Sequence, residues 1–407
     1  MKHHFNLLLG LSVLILTAGC SKNPLTSSVG LTKGAKAGFV SNADWQAPSA
    51  TGRVIRYDIG DGHGSDCLFT YDIGNGHVTL TQVSGTNSTT IYSGTGIPTL
   101  NAGTISVSQY NTDCTDNFNE LGGVHIIPYD AIGNGHEDHL LLYIPGRGIL
   151  YLLQYNGNGE WEEDWHSTTG IGGYDLAGAT KTDKIIAYDY GSGYKNALIC
   201  YRPGNGYCWV IENTNVVTAP IWTAVVKGSS GIGGFDLKGT SDQIIAEDYN
   251  PGAMDLVCYR PGYGYLWYLT HSANSTNFTA TYTTRSGFNN FNFEDYQDRV
   301  FASNISGSTA ANADNTLFCY RPGGGNVTVV DAVSGNTVSG GAPPGGFYYY
   351  PFSYNPYGSP YTYIGDHMLN FAGNGYGNSS LLCYSNGGGS SQVYEYSPQT
   401  QNYTQVY

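Results

Sequence analysis

Charged residues are scarce in this 407-residue chain, where Asp, Glu, Lys and Arg together make up 12%, against about 25% in an ordinary soluble domain. Helical periodicity is almost absent, which argues against a helical bundle. No segment after residue 20 is apolar enough to span a membrane as a helix. The formal net charge is −14, and the basic footprint that nucleic acid requires is missing.

The usual motifs of catalysis are also missing. The sequence has no Gly-x-Ser-x-Gly nucleophile elbow, no phosphate-binding loop and no Cys/His spacing typical of zinc. The segment 136–139, His-Glu-Asp-His, is the densest acid–base cluster, but it lies inside a predicted turn. The acidic segment 160–164 is interpreted as a solvated edge, although paired carboxylates can hydrolyse glycosides. The sequence therefore predicts no enzyme.

Glycine and tyrosine are abundant, with 57 and 35 copies, as expected for short strands joined by tight turns. A six-residue phrase, Tyr-Arg-Pro-Gly-x-Gly in its clearest form, recurs along the chain. Its copies begin at Tyr71, Tyr143, Tyr201, Tyr259, Tyr320 and Tyr384. A second phrase, Gly-Ile-Gly-Gly-aromatic-Asp-Leu, occurs at 170–176 and again at 231–237.

Each repeat of about 60 residues contains β-branched and apolar runs separated by glycine-rich turns. Proline cannot donate to a sheet and glycine tolerates positive φ, so the Pro-Gly pairs belong in turns. The repeat therefore predicts an all-β fold, a β-propeller of six blades with about four antiparallel strands each, over residues 45–407. A seven-bladed ring and a string of small β domains are the alternatives.

The turn at 130–138 resembles the calcium loop of the FG-GAP repeat found in integrin-type propellers, and the two repeated phrases resemble bacterial and fungal propellers of this broad group. This resemblance implies oxygen ligands for calcium in the loops. The implied ligands are Asp58, Asp61 and Asp66 in the first repeat and Asp130, Asn134 and Asp138 in the second. The alternative is that these side chains cap turns through hydrogen bonds to backbone amides.

Aromatic side chains are the candidate ligand-binding groups. Tyr151, Trp209 and Trp267 each follow a repeat tyrosine by eight residues and so occupy equivalent places. Aromatic faces stack on sugars, which predicts a glycan ligand; the alternative is that these rings pack between blades. The insertion at 340–364 adds more rings, including Tyr348, Tyr349 and Tyr350, and would suit a protein partner or a lid.

Residues 1–19 combine a basic start, an apolar run and small residues before Cys20, and so resemble a bacterial lipoprotein signal peptide. The resemblance implies that Cys20 becomes the N-terminus and is acylated with fatty acids such as palmitate, which anchors the protein in the cell envelope, at the outer membrane or cell surface. Cleavage without lipidation is the alternative. Residues 20–44 are predicted to be a flexible tether.

Cysteines that directly precede the repeat tyrosine, such as Cys200, are predicted to be small buried hydrophobes. Cys200 and Cys208 flank one hairpin, and an exported protein would permit a bridge between them. The leading hypothesis is a lipid-anchored, extracytoplasmic propeller that binds a glycan. An envelope scaffold that binds proteins is the second, and a glycan-active hydrolase or lyase is the third.

Overall fold

A computed structural model describes most of the chain between Ser49 and Gln405. It leaves out residues 1–48, 50, 61–66, 85–86, 101–102, 109–122, 178–181, 216–219, 251–252, 289–290, 304–315, 323–325, 332–336, 340–365, 372–379, 386–389, 398–401 and 406–407. The predicted signal peptide, Cys20, the tether, Asp61, Asp66, Tyr348, Tyr349 and Tyr350 lie outside the described residues.

The described residues form 26 strands in six sheets and no α-helix. The first sheet contains β1 (Gly52–Tyr57), β2 (Cys67–Asp72), β3 (His77–Ser84) and β4 (Asn87–Thr95). The second contains β5 (Ile97–Thr99), β6 (Gly103–Ile105), β7 (His125–Tyr129), β8 (His139–Ile144), β9 (Ile149–Tyr155) and β10 (Trp161–Ser167). The third contains β11 (Lys184–Tyr188), β12 (Ala197–Arg202), β13 (Tyr207–Asn213) and β14 (Trp222–Gly228).

The other three sheets follow the same four-stranded plan. The fourth contains β15 (Gln243–Asn250), β16 (Ala253–Arg260), β17 (Tyr265–Thr270) and β18 (Thr279–Thr284). The fifth contains β19 (Arg299–Ser303), β20 (Thr316–Arg321), β21 (Asn326–Asp331) and β22 (Thr337–Ser339). The sixth contains β23 (Asp366–Phe371), β24 (Ser380–Ser385), β25 (Ser390–Ser397) and β26 (Asn402–Gln405).

The first strands of the repeats contact one another in a closed cycle. β1 contacts β7, β7 contacts β11, and β11 contacts β15. β15 contacts β19, β19 contacts β23, and β23 contacts β1. Five sheets are antiparallel meanders of four strands. This closed arrangement of radial meanders is a β-propeller, which confirms the predicted fold class.

The second sheet departs from the predicted plan of about four strands. It has six, in the order β6-β5-β10-β9-β8-β7, because β5 and β6 add to its outer edge. β5 pairs with β10 in parallel at Thr99 and Trp161, and β6 pairs with β5. The added hairpin lies between Tyr71 and Tyr143, the longest interval between repeat tyrosines. No sequence pattern in that interval predicted extra strands.

The repeat tyrosine joins each sheet to the next. Its hydroxyl accepts a hydrogen bond from a backbone amide on the first strand of the following repeat. The described pairs are Tyr71 with Ile126, Tyr143 with Ile185, Tyr201 with Ile244, and Tyr259 with Val300, at 3.1–3.3 Å. Tyr384 of the sixth sheet makes the same bond to Val54 of the first. The ring therefore closes without exchange of a strand between the ends of the chain.

Backbone hydrogen bonds join the two repeated phrases. The carbonyl of Leu237, at the end of the second phrase, accepts hydrogen bonds from Gly204 and Gly206 of the preceding Pro-Gly turn, at 2.9 and 3.1 Å. The carbonyl of Phe293 does the same for Gly262 and Gly264. Leu237 and Phe293 share an unusual positive φ, 50° and 51°. Residues 287–288 and 291–293 thus repeat the backbone geometry of the second phrase, which their sequence alone did not show.

The arginine of the first phrase also has a fixed partner. Arg260 binds the buried carboxylate of Asp242 with two nitrogens, Nε at 2.5 Å and Nη2 at 2.8 Å. Arg202 with Asp183 and Arg321 with Asp298 repeat this forked pair. Each pair ties the turn after one strand to the segment that enters the same sheet, so these arginines are structural.

The cysteines of the repeat are buried, as predicted, and all six described cysteines are free. The suggested bridge between Cys200 and Cys208 is wrong. Cys200 lies opposite Trp209 and Cys208 lies opposite Tyr201 in the β12–β13 ladder. Adjacent rungs of a ladder present side chains to opposite faces of the sheet, so the two sulfur atoms point apart.

Candidate ligand pocket

The acidic residues that begin the predicted calcium loops make hydrogen bonds within their own turns. Asp58 accepts from the Gly60 amide at 2.8 Å, and Asp130 accepts from the amides of Asn134 and Gly135 at 3.1 and 2.8 Å. These are the turn-capping bonds of the alternative interpretation. The described residues contain no group of three or more His, Cys, Asp or Glu side chains placed to hold a metal ion. Calcium binding stays a prediction.

The three predicted aromatic residues lie in three different sheets and are not brought together. Trp209 packs edge-to-face on Tyr174 at 5.5 Å, and Trp267 packs in the same way on Phe235 at 5.8 Å. In both cases the partner belongs to the second repeated phrase, which leads into the same sheet. Tyr151 lies beside His166 at 6.1 Å. All three rings are half-buried, and their binding of glycan stays a prediction.

The grooves between neighbouring sheets are closed by large side chains at equivalent positions. Between the first and second sheets, the buried indole of Trp161 meets Tyr155 at 5.1 Å. Between the third and fourth sheets, His271 stacks on Tyr190 at 5.5 Å and meets Phe278 at 4.5 Å. These rings come from two places. One is the turn after the first strand of a sheet, and the other is the last hairpin of the sheet that follows it.

The groove between the second and third sheets has small residues at these positions. Ala131 stands where the next groove has Tyr190, and Asn213 stands where it has His271. The Asn213 amide donates to the Ala131 carbonyl at 2.9 Å and so joins the two sheets. The ring of Trp222 packs on the ring of Tyr129, with centroids 5.7 Å apart. No large side chain stands at the positions equivalent to Tyr190 and His271. A cavity of about 320 Å³ results.

Polar side chains dominate the lining of this cavity. Its apolar lining residues are Ala131, Ile132, Leu152 and Pro220. Its polar lining residues are His139, Gln154, Glu162, Glu163, Asp164 and Asn213. In small-molecule sites a few convergent polar groups fix the orientation of the ligand, and the excess of polar residues here favours a polar ligand.

A β-bulge lies in the strand that lines the cavity, and its extra residue, Asp164, reaches His139. The β9–β10 ladder pairs Glu163 with Leu153 and then Trp165 with Leu152, which leaves Asp164 as the extra residue. A bulge turns neighbouring side chains toward the same face of a sheet. The same irregularity recurs in four other sheets, where the extra residues are Ile91, Val225, Thr281 and Val338. Among these five positions only Asp164 is acidic.

Interpretation of residues 160–164 as a solvated edge is therefore wrong for part of the segment. Glu160 and Glu162 are exposed, but Trp161 is fully buried and Glu163 and Asp164 are half-buried beside the cavity. Glu163 contacts His166 and Asp164 contacts His139, and these contacts partly bury the two carboxylates.

His139 connects the cavity to a buried carboxylate. Its Nδ1 lies 2.6 Å from Asp138 Oδ1, and its Nε2 lies 3.1 Å from Asp164 Oδ2. Gln154 donates to the second oxygen of Asp138 at 3.3 Å. Burial lowers the pKa of His139, but the hydrogen bonds to Asp138 and Asp164 outweigh it and raise the pKa to about 9. His139 is thus an imidazolium at neutral pH.

The described part of the chain contains no helix long and apolar enough to cross a membrane. No known family model matches this sequence, and no characterised protein matches it significantly. Several solved structures resemble the fold weakly. A Pseudomonas aeruginosa periplasmic gluconolactonase is 12% identical, with 84% of this chain and 82% of that chain covered and a TM-score of 0.40.

A Lactobacillus plantarum protein is 11% identical, with 84% and 81% covered and a TM-score of 0.41. An Agrocybe aegerita lectin that recognises non-reducing terminal N-acetylglucosamine is 14% identical, with 71% of this chain and 64% of that chain covered and a TM-score of 0.45. Likenesses at this level assign no function.

Proposed function

We propose that this protein binds a saccharide in the cavity between its second and third sheets. The observation that carries the proposal is the open groove, which has Ala131 and Asn213 where the next groove has Tyr190 and His271. Its volume of about 320 Å³ falls at the lower end of small-molecule sites, about 300–1,000 Å³. A few sugar rings fit this size, whereas a folded partner does not.

The lining suits a saccharide better than an apolar ligand. Sugar hydroxyls need several hydrogen-bond partners within a small space, and six polar residues line this cavity. Leu152, Ile132 and Pro220 supply apolar surface for the C–H faces of a ring. The glycan ligand inferred from the sequence is retained, but its site moves from the Trp209 and Trp267 positions to this groove.

We also infer that the ring is best counted as six blades, in which the second blade carries the β5–β6 hairpin as an addition. The support for this count is the cycle of six first strands, each of which begins a separate sheet. The β5–β6 hairpin does not add a seventh blade, because it forms no sheet of its own.

We propose further that Cys20 is lipidated and anchors the propeller in the cell envelope. The support is the sequence of residues 1–20 alone. Labelling with a palmitate analogue should mark the wild-type chain and should not mark Cys20→Ser. Equal labelling of both chains would contradict lipidation at this residue.

An Ala131→Tyr substitution tests the saccharide site. It imitates Tyr190 of the next groove and should fill the cavity. Binding to saccharides that a glycan array selects should fall at least about tenfold by calorimetry. Ala177→Tyr is the matched control, because Ala177 is exposed and does not line the cavity.

Three further variants separate this proposal from the alternatives. Binding that Ala131→Tyr leaves unchanged, but that Trp209→Ala or Trp267→Ala abolishes, would contradict the cavity and favour the aromatic positions. Cleavage of the bound saccharide, lost on substitution of Asp164 by Asn, would identify an enzyme instead of a binding protein. The envelope scaffold stays a prediction.

A further inference from the structure

One position of the repeat carries a basic or amide side chain in all six sheets. It lies on the first strand of each sheet, directly opposite the repeat tyrosine in the ladder. We call these six residues the channel ring: Arg53, His125, Lys184, Gln243, Arg299 and His367. All six are half-buried, whereas the residue that follows each of them is buried. Because successive side chains of a strand point to opposite faces, the ring position stays accessible while its neighbour packs inside.

The first strands surround the axis of the propeller. Each is the terminal strand of its sheet, and each contacts the first strands of both neighbouring sheets in the closed cycle described above. Strands in this arrangement enclose the central channel of a propeller. Since the ring residues share one position in the ladder, they lie at one level of that channel.

Side chains of the channel ring reach from one sheet to the next. Arg53 Nη1 lies 3.4 Å from His125 Nδ1, and Lys184 Nζ donates to Gln243 Oε1 at 3.0 Å. A guanidinium only donates, so His125 Nδ1 accepts here and the neutral ring carries its proton on Nε2. Neighbouring members of the ring are therefore close enough to act on one ligand.

The histidines of the ring are held in place by the repeat tyrosines. His125 stacks on Tyr143 and His367 stacks on Tyr384, with ring centroids 5.1 Å apart in both cases. Arg53 also lies near Tyr384, because burial raises the pKa of that hydroxyl and the charge of Arg53 opposes the rise. His367, Arg53 and His125 thus form a continuous arc across the junction between the last sheet and the first.

The channel ring concentrates positive charge in an acidic protein. Arg53, Lys184 and Arg299 are permanent cations at equivalent positions, although the formal net charge of the chain is −14. The carboxylates directly before Lys184 and Arg299 are each bound by the forked arginine of their own sheet, so these pairs are neutral. Screening limits exposed charges to about 8 Å at physiological ionic strength. The ring itself, and not the net charge, therefore sets the potential at this level of the channel.

We propose that the channel ring binds an oxyanion, a phosphate or sulfate group, near the axis of the propeller. Guanidinium and ammonium groups make strong charge-assisted hydrogen bonds to such oxygens, and the histidine and glutamine side chains add N–H donors. A cleft lined by charge of one sign also raises the local concentration of counter-ions. The site is separate from the proposed saccharide site, because no ring residue lines that cavity.

Calorimetry and thermal unfolding at pH 7 with inorganic phosphate test the proposal, with chloride at equal ionic strength as the reference. Phosphate at about 20 mM should raise the unfolding midpoint of the wild type, because a ligand that binds only the folded state stabilises it. Arg53→Gln combined with Arg299→Gln should weaken phosphate binding at least about tenfold. Sulfate should behave in the same way.

Lys227→Gln combined with Arg285→Gln is the matched control. It removes the same charge from exposed positions, on the outermost strand of the third sheet and just after that of the fourth. It should change phosphate binding less than about twofold, because exposed charges so far from the channel are screened.

A gain-of-function variant keeps the test decisive if the double ring variant does not fold. Gln243→Lys adds a fourth permanent cation beside Lys184, so it should lower the unfolding midpoint without phosphate. It should also tighten phosphate binding at least about threefold, because the anion then screens one more cation from its neighbours.

Three outcomes would overturn the oxyanion site. They are no binding of phosphate or sulfate by the wild type, binding that the ring variants leave unchanged, and equal weakening by the control variant. Glycerol 1-phosphate separates a free ion from a phosphorylated solute, and binding of either that the ring variant loses would support the site. Ala131→Tyr should leave phosphate binding unchanged, so failure of the saccharide site and failure of the oxyanion site are distinguishable.

Discussion

The hydroxyl of Tyr384 accepts a hydrogen bond from the backbone amide of Val54, and this bond joins the last sheet to the first. Burial raises the pKa of Tyr384 above its ordinary value, so the hydroxyl stays neutral. The same bond joins Tyr201 to Ile244 within the ring. The junction that contains the chain ends is therefore held as the internal junctions are.

Tyr384→Phe should lower the free energy of unfolding by about 1–3 kcal/mol, because it removes the acceptor of a buried amide. Chemical denaturation measures the change. Tyr207→Phe is the control, since Tyr207 is 42% exposed, and it should have little effect. Equal stability of the two variants would show that the hydroxyl of Tyr384 does not hold the ring closed.

Arg260→Met should destabilise the protein by about 3–5 kcal/mol, because it leaves the buried carboxylate of Asp242 without its partner. Arg260→Lys should cost less, since lysine keeps the charge but loses the forked geometry. Arg147→Met is the control at an exposed arginine of the equivalent turn. A lower denaturation midpoint for Arg260→Lys than for Arg260→Met would contradict the assignment of Arg260 as the partner of Asp242.

The contribution of His139 to stability should depend on pH. Its pKa in the folded protein, about 9, is above its ordinary value of 6.5, so folding favours the protonated ring. The stabilisation should be complete below pH 6.5 and lost as pH rises through 9, with a magnitude of roughly 3 kcal/mol. Wild type and His139→Asn should therefore differ most at pH 6 and least at pH 10. A difference that stays constant over this range would contradict the buried imidazolium.

Gly231→Ala should destabilise the protein strongly. Gly231 has a φ of 96°, and an added Cβ would collide with the carbonyl oxygen of Phe235. Gly157→Ala is the matched control, because Gly157 has a φ of 84° but nothing within 4 Å of the added atom. Thermal unfolding should show at least about 2 kcal/mol more loss at Gly231 than at Gly157.

The repetitive part of the molecule was largely readable from the sequence. The Pro-Gly pairs mark turns, and the residue before the tyrosine is buried in five of the six repeats, because local chemistry repeats wherever the local sequence repeats. The tyrosine itself was recognised as a marker, but its hydrogen bond to the next sheet was not. Within the ring that bond joins residues 41–55 positions apart, as in Tyr71 with Ile126, and no local pattern reveals it.

The cavity was not predicted, and the reason is physical. It arises from what Ala131 and Asn213 lack in comparison with Tyr190 and His271, and the two residues belong to different sheets. Small side chains at two distant positions form no sequence motif that could be recognised. The bulge at Asp164 was not predicted either, since strict alternation assigns one pattern to the whole strand and the facing changes from Trp165 onward.

Each sheet is built from one uninterrupted stretch of chain, and one junction of the ring already holds without a peptide bond passing through it. Proteolytic nicking in a linker between two other sheets would create a second junction of that kind. The tyrosine bond and the packing of the first strands would remain there. The nicked protein should therefore migrate as one particle under native conditions and separate into two fragments only after denaturation.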